Sequence, residues 1–131
     1  VEKMTIVTHM REELVNVTSA LNERIRERGW DNGAVVLWCP HTTGALTVNE
    51  AADPDVARDI VVGMRGLVPH RGDYRHAEGN SDAHIKTSLF GPGLTLIVDG
   101  GRLQLGTWQG VYFCEFDGPR TRSLWMQWLQ G

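Results

Sequence analysis

The chain has 131 residues, of which 41% are hydrophobic and 22% charged, with 15 glycines and a formal net charge of -3. That length supports one domain with a buried core, and that composition excludes a disordered or low-complexity chain. No lysine/arginine block offers a footprint for nucleic acid, and apolar runs such as Ala34–Trp38 are far too short to cross a bilayer as a helix.

Val1-Glu2-Lys3-Met4 is no signal peptide, so the expected location is cytoplasmic and the expected partners include neither nucleic acid nor membrane. Cys39 and Cys114 lack CxxC spacing and read as buried thiols in a reducing compartment. Met4 to Thr8 predicts a short edge strand. Thr18 is placed to cap a helix running to Arg28, with Leu21 and Ile25 on one face and Gly29 as the stop. Asp31-Asn32-Gly33 marks a turn. Ala34 to Cys39 is continuously apolar and predicts a strand buried on both faces, followed by a second strand over Gly44 to Asn49.

Asp53-Pro54 is a strong helix start, an N-cap followed by proline at the first helical position. Val56, Ile60, Met64 and Leu67 mark the expected buried stripe of that helix. A polar loop from Gly66 to Gly79 follows, and a loop of that length in a small domain points to function. Asn80 or Ser81 starts a third helix through Phe90, with His84 one turn in. Leu94 to Val98 and Arg102 to Leu105 flank Asp99-Gly100-Gly101 as a hairpin. Val111 to Asp117 and Thr121 to Leu129 are the last strands, the final one apolar on both faces. The predicted class is α+β: one domain, a largely antiparallel sheet with about three helices packed on it.

The chemistry-bearing residues concentrate in polar blocks. His41, His76 and His84 come from a strand end, a loop and a helix start, a set that suits an open divalent-metal site of three imidazoles. Glu50, at the end of the strand after His41, is the candidate general base, and Asp82 the candidate to orient a ligand histidine or move protons. Arg120 and Arg122, two apart on a strand, share a face and suit phosphate. Asn80, at a helix start, and Thr43 and Gln109 are candidate pocket groups. Together they point to a metal-assisted site for a phosphorylated small molecule, with zinc or magnesium as the ion.

Five blocks stand in a characteristic order: Pro40-His41-Thr42-Thr43-Gly44; Asn49-Glu50-Ala51-Ala52-Asp53-Pro54-Asp55-Val56; His76-x2-Gly79-Asn80-x-Asp82-Ala83-His84; Leu105-Gly106-Thr107-Trp108-Gln109-Gly110; and Cys114-Glu115-Phe116-Asp117-Gly118-Pro119-Arg120. As a set they resemble the YjbQ family of small bacterial and archaeal proteins over nearly the whole chain. Trp125-Met126-Gln127-Trp128 departs from the plainer β-branched tail of that family. The resemblance implies an α+β fold assembled as a homotrimer, with sites near subunit contacts, and a histidine-rich pocket able to bind a divalent metal. It also implies a weak thiamine-phosphate synthase activity, in which a pyrimidine methyl diphosphate joins a thiazole phosphate and pyrophosphate leaves. A phosphohydrolase, a non-catalytic metal- or metabolite-binding trimer, and a scaffold using the C-terminal tryptophans are the competing readings.

Overall fold

The computed structural model describes residues 1–131, with eight strands and three helices in one domain. In chain order they are β1 (Glu2–Val7), β2 (Glu13–Asn16), α1 (Thr18–Arg28), β3 (Gly33–Trp38), β4 (Gly44–Glu50), α2 (Pro54–Leu67), α3 (Ser81–Phe90), β5 (Gly93–Asp99), β6 (Arg102–Leu103), β7 (Gln109–Glu115) and β8 (Thr121–Gln130). All pairings are antiparallel. They form a five-stranded sheet in the order β1-β8-β3-β5-β6 and a three-stranded sheet in the order β2-β7-β4. The α+β class and the three helices agree with the sequence reading.

Local chemistry explains most elements. Gly29 ends α1 in the left-handed region at φ 64°, where a side chain would be strained, and its N–H closes back on Arg26 and Ile25. Leu21 and Ile25, one turn apart, face the core and are fully buried. Asp53 caps α2 by accepting the Asp55 N–H, and Pro54 takes the first helical position. Three local expectations need correction. Thr18 does not cap α1; its hydroxyl accepts the Val111 N–H at 2.8 Å, and Asn16 Oδ1 accepts the Thr18 N–H. β2 has no counterpart in the sequence reading, because four residues paired along β7 carry little pattern of their own. The apolar stripe of α2 is rotated: Val61 is its buried side chain, while Leu67 is 71% exposed.

The core has two parts. The inner face of the larger sheet, α1 and one face of the smaller sheet share a cluster that includes Val35, Leu37, Phe113, Leu124 and Met126. On the other face of the smaller sheet, Ala45, Tyr112, Cys114 and Phe116 meet Ala83 of α3 and Ala57 of α2. Burying side chains the size of Val35, Leu37 or Phe113 contributes about 1.5–3 kcal/mol each relative to exposure. β7 is therefore the strand covered on both faces, with Val111 and Phe113 on one side and Tyr112 and Cys114 on the other. β3, for which the sequence predicts this, buries Val35 and Leu37 but leaves Trp38 47% exposed. Within one chain the outer face of the larger sheet is open. It carries Trp38 beside Trp125 in register, along with Ile97 and Leu129, and Lys3 Nζ lies 5.1 Å from the Trp125 ring centroid. Cys39 and Cys114 are free, buried thiols, and no helix is long and apolar enough to cross a membrane.

Charge is also buried beneath the helices. Lys86, on α3, has no exposure and donates to Glu12 at 2.8 Å and to Asp82 at 2.9 Å. Arg11 reaches the same Asp82 with both Nη atoms, and Arg65 of α2 reaches Glu12 at 3.1 Å. Burial alone would raise the Asp82 carboxyl, but its bonds to Arg11 and Lys86 outweigh that and hold it below the usual carboxylate range. This cluster joins α3, α2 and the segment between β1 and β2. Lys86 is the fully buried cation of the cluster, and without it two buried carboxylates keep only the partly exposed Arg11 and Arg65, so Lys86→Met should lower stability by about 3–5 kcal/mol in urea unfolding. A loss under about 1 kcal/mol, the scale of an exposed ion pair, would contradict this account.

Candidate functional site

The expected site residues fall into three places. The first is where the two sheets meet at the start of β4. Glu115, at the end of β7, is fully buried. Its carboxylate accepts from Arg122 of β8, both Nε at 2.9 Å and Nη2, from the Thr8 hydroxyl at 2.7 Å and from the Asp117 N–H at 3.0 Å. Burial would raise this carboxyl, and the bonds from Arg122 and Thr8 more than reverse it. Arg122 also donates to the carbonyl and hydroxyl of Thr43. Arg122 and Thr43 are thus committed to a buried pairing and do not face a ligand.

His41 stands beside this pair. Its Nε2 accepts the Ser123 N–H at 2.9 Å, and its ring lies edge-on to Phe113. An acceptor Nε2 places the proton of the neutral ring on Nδ1. Burial first, and then the nearby Arg122 guanidinium, hold the His41 pKa below its ordinary value.

The second place is the N-terminal end of α3. Asn80 occupies the cap position without making a side-chain cap bond. Its Nδ2 donates to Asp117 Oδ2 at 2.9 Å, its Oδ1 has no partner, and the residue is buried. Arg120 converges on the same Asp117, through Nε to the carbonyl at 2.7 Å and Nη2 to Oδ2 at 3.0 Å, and stays half exposed. The turn between them leaves no room for a side chain at Gly118, where a Cβ would collide with the Met10 carbonyl oxygen. The polar loop arrives at the same helix end, tied by a contact between His70 Nε2 and the Gly79 carbonyl at 2.8 Å and by the Tyr74 hydroxyl donating to Pro69. His76 and His84 meet edge to face, with ring centroids 5.4 Å apart. They share a cavity of about 450 Å³ with Asp73, Tyr74, Arg75 and Ser81. His76 Nε2 lies 3.7 Å from Glu78.

The third place is the far end of β4. Glu50 pairs with Gln109 across the ladder, whereas Gly44 at the other end pairs with Glu115. Seven strand residues put these ends about 20 Å apart. Gln109 Oε1 accepts the Gly106 N–H at 2.8 Å and so closes its own loop, presenting Trp108 with 64% exposure. The Glu50 carbonyl accepts the Tyr112 hydroxyl.

One chain therefore does not gather His41, His76 and His84. No three histidine, cysteine, aspartate or glutamate side chains are close enough together to hold a metal ion. An open catalytic site needs three protein ligands, so the donor set of one chain does not fit such an ion by itself. Asp82 is corrected too: both of its oxygens are bonded to Arg11 and Lys86 in the buried cluster, and it does not line the cavity of His76 and His84. Sequence reasoning passes over Arg75 and Asp117. Arg75 carries no motif signal beyond lying next to His76, whereas Asp117 precedes Gly118-Pro119-Arg120 and could be suspected on that ground.

A family model described as "UPF0047 protein YjbQ-like" matches residues 2–131. The chain is 45% identical over 128 residues to UPF0047 protein YugU of Bacillus subtilis, covering 96% of each. It is 46% identical over 125 residues to UPF0047 protein MJ1081 of Methanocaldococcus jannaschii, covering 95% of this chain and 91% of that one. A crystal structure of an uncharacterised YjbQ/UPF0047-family protein of Clostridium acetobutylicum superposes with a TM-score of 0.95 at 45% identity, covering 98% of this chain and all of that one. A conserved hypothetical protein of Thermus thermophilus gives a TM-score of 0.92 at 43% identity, with coverage of 98% and 100%.

The environment of His41 is directly measurable. In a proton-detected nitrogen-15 titration it should hold the Nδ1–H tautomer and protonate below the ordinary histidine value of about 6.5. Titration of His41 at or above that value would contradict the geometry.

Proposed function

The chain belongs to the YjbQ-like UPF0047 family, and on that premise we propose that it binds and transforms a phosphorylated small molecule at the N-terminal end of α3. The observation that carries this reading is the convergence there of His76, His84 and Arg75 around one cavity, with Arg120 tied to the same helix end through Asp117 and Asn80. A helix N-terminus favours anions, and two guanidinium groups add charge-assisted bonds to phosphate oxygens.

The family resemblance implies thiamine-phosphate synthase-like transfer, and these residues are compatible with it. The thiazole nitrogen forms a bond to the methylene carbon of the pyrimidine, and the bond from that carbon to the diphosphate oxygen breaks. Pyrophosphate leaves with the electron pair. Arg75 and Arg120 stabilise the growing negative charge, and the imidazoles of His76 and His84 orient the diphosphate. Hydrolysis of a phosphate ester is the second reading, and the approach of Glu78 to His76 favours it. A carboxylate beside an imidazole is how a general base for water is oriented.

A homotrimer is part of the same proposal. Trp38, Trp125, Ile97 and Leu129 form an apolar face that a second copy would cover. A homotrimer would also let the Glu50–Gln109 end of one copy approach the histidine end of another, which a single chain keeps apart. A divalent ion held by His76 and His84 needs a third ligand, and a neighbouring copy is its source on this reading.

Arg120→Ala should raise the KM for a phosphorylated substrate about 10- to 100-fold with the fold retained, corresponding to about 1.5–3 kcal/mol of lost charge-assisted bonding. Elemental analysis of the same preparations should find that His84→Ala loses bound divalent metal. No change in KM for Arg120→Ala would remove the anion site from this helix end. For the assembly, light scattering should report three copies per particle for the native chain and a smaller species for Trp38→Glu; a native monomer at micromolar concentration would refute it.

A further inference from the structure

α2 packs on the smaller sheet and lines no part of the cavity that His76 and His84 share. Between it and the strands β2 and β7 runs a groove of about 570 Å³, within the size range of small-molecule sites. Its walls include Leu14, Ala57, Val61 and Val62. Tyr112 also lines it, with its hydroxyl already donated to the Glu50 carbonyl at 3.0 Å. The interior is therefore mainly apolar.

The rim is charged, and its charges are not equivalent. Glu12 is already bonded to Lys86, Arg11 and Arg65. The Glu13 carboxylate accepts the N–H groups of His9 and Met10. Glu12 is thus fully engaged within the fold and Glu13 is held through Oε2. The two rim arginines are ion-paired through one nitrogen each and keep the others free. Arg65 uses only Nε, on Glu12, and Arg58 only one Nη, on its exposed neighbour Asp59. They are seven residues apart on α2, so they lie on one face about 10 Å apart along the axis. Both keep guanidinium N–H groups at the mouth of an apolar groove.

We propose that this groove binds a monomeric amphipathic organic anion, with its apolar chain or ring between α2 and the sheet and its carboxylate on Arg58 and Arg65. Charge complementarity selects the anion. The position between a helix and a sheet selects a single small molecule over a lipid surface. This site is separate from the cavity at α3, and the proposal stands whether or not the reading of that cavity does.

Calorimetry with octanoate, octan-1-ol and octylammonium tests it, since the three share a chain and differ in head group. Octanoate should bind once per chain and at least fivefold tighter than the other two. Arg58→Glu should abolish that preference. Ala57→Trp should fill the groove and weaken binding at least tenfold with the melting temperature retained; if that variant does not fold, Val62→Glu, at a half-exposed rim position, serves instead. Amide and methyl shifts on adding octanoate should centre on Ala57, Val61 and Val62. Equal affinity for octanol, octanoate binding unchanged in the groove-filling variant, shifts centred elsewhere, or no saturable binding would each overturn the proposal. Binding to phosphatidylglycerol vesicles but not to free octanoate would overturn it as well.

Discussion

The meeting of Glu115 and Arg122 sets the geometry on which the rest depends. A fully buried carboxylate is unfavourable by several kcal/mol unless matched. Here the match runs from one sheet to the other. Arg122 comes from the larger sheet, Thr8 follows that sheet's edge strand, and Glu115 ends the central strand of the smaller one. Because Arg122 also binds Thr43, the loop before β4 is held too. The next residue along β8, Ser123, fixes the ring of His41. Two residues beyond Glu115, Asp117 holds Asn80 and Arg120. The ion pair that locks the sheets therefore also aims the polar groups at their junction.

What could be read from the sequence was what local chemistry decides. Asp53-Pro54 announces a helix without help from distant residues, and so do Leu21 and Ile25 ahead of Gly29. The double glycine after Asp99 turns the hairpin as expected, with positive φ at Gly100 and Gly101. Elements that exist through a partner were harder. Glu13-Leu14-Val15-Asn16 becomes a strand because β7 lies beside it. The buried face of α2 was ambiguous because Val56, Ile60, Val61, Met64 and Leu67 make a stripe too broad to name one side.

The same limit governed the candidate site. The histidine pair at α3 was visible because its residues lie within nine positions. Asp82 and Arg122 looked equally chemical. Arg11 lies 71 residues from Asp82, and although Lys86 is four residues beyond Asp82 and Glu115 seven before Arg122, nothing in one dimension shows that these charges are buried together. A carboxylate or guanidinium in a histidine-rich block reads as catalytic until the opposite charge that neutralises it is found. Conversely, Glu50 and His41 are only nine residues apart, yet an intervening strand carries them to opposite ends of a sheet.

The buried cluster around Lys86 has a consequence for how this chain can change over generations. Glu12, Asp82 and Lys86 are tolerable inside only because of one another and of the partly exposed Arg11 and Arg65 beside them. A lone substitution at one of the three buried positions leaves charge under-compensated, whereas an apolar replacement of the whole set can be neutral or better. The three buried positions therefore descend as one unit. Lineages should keep all of them or exchange them together, and intermediates with a partial set should be short-lived.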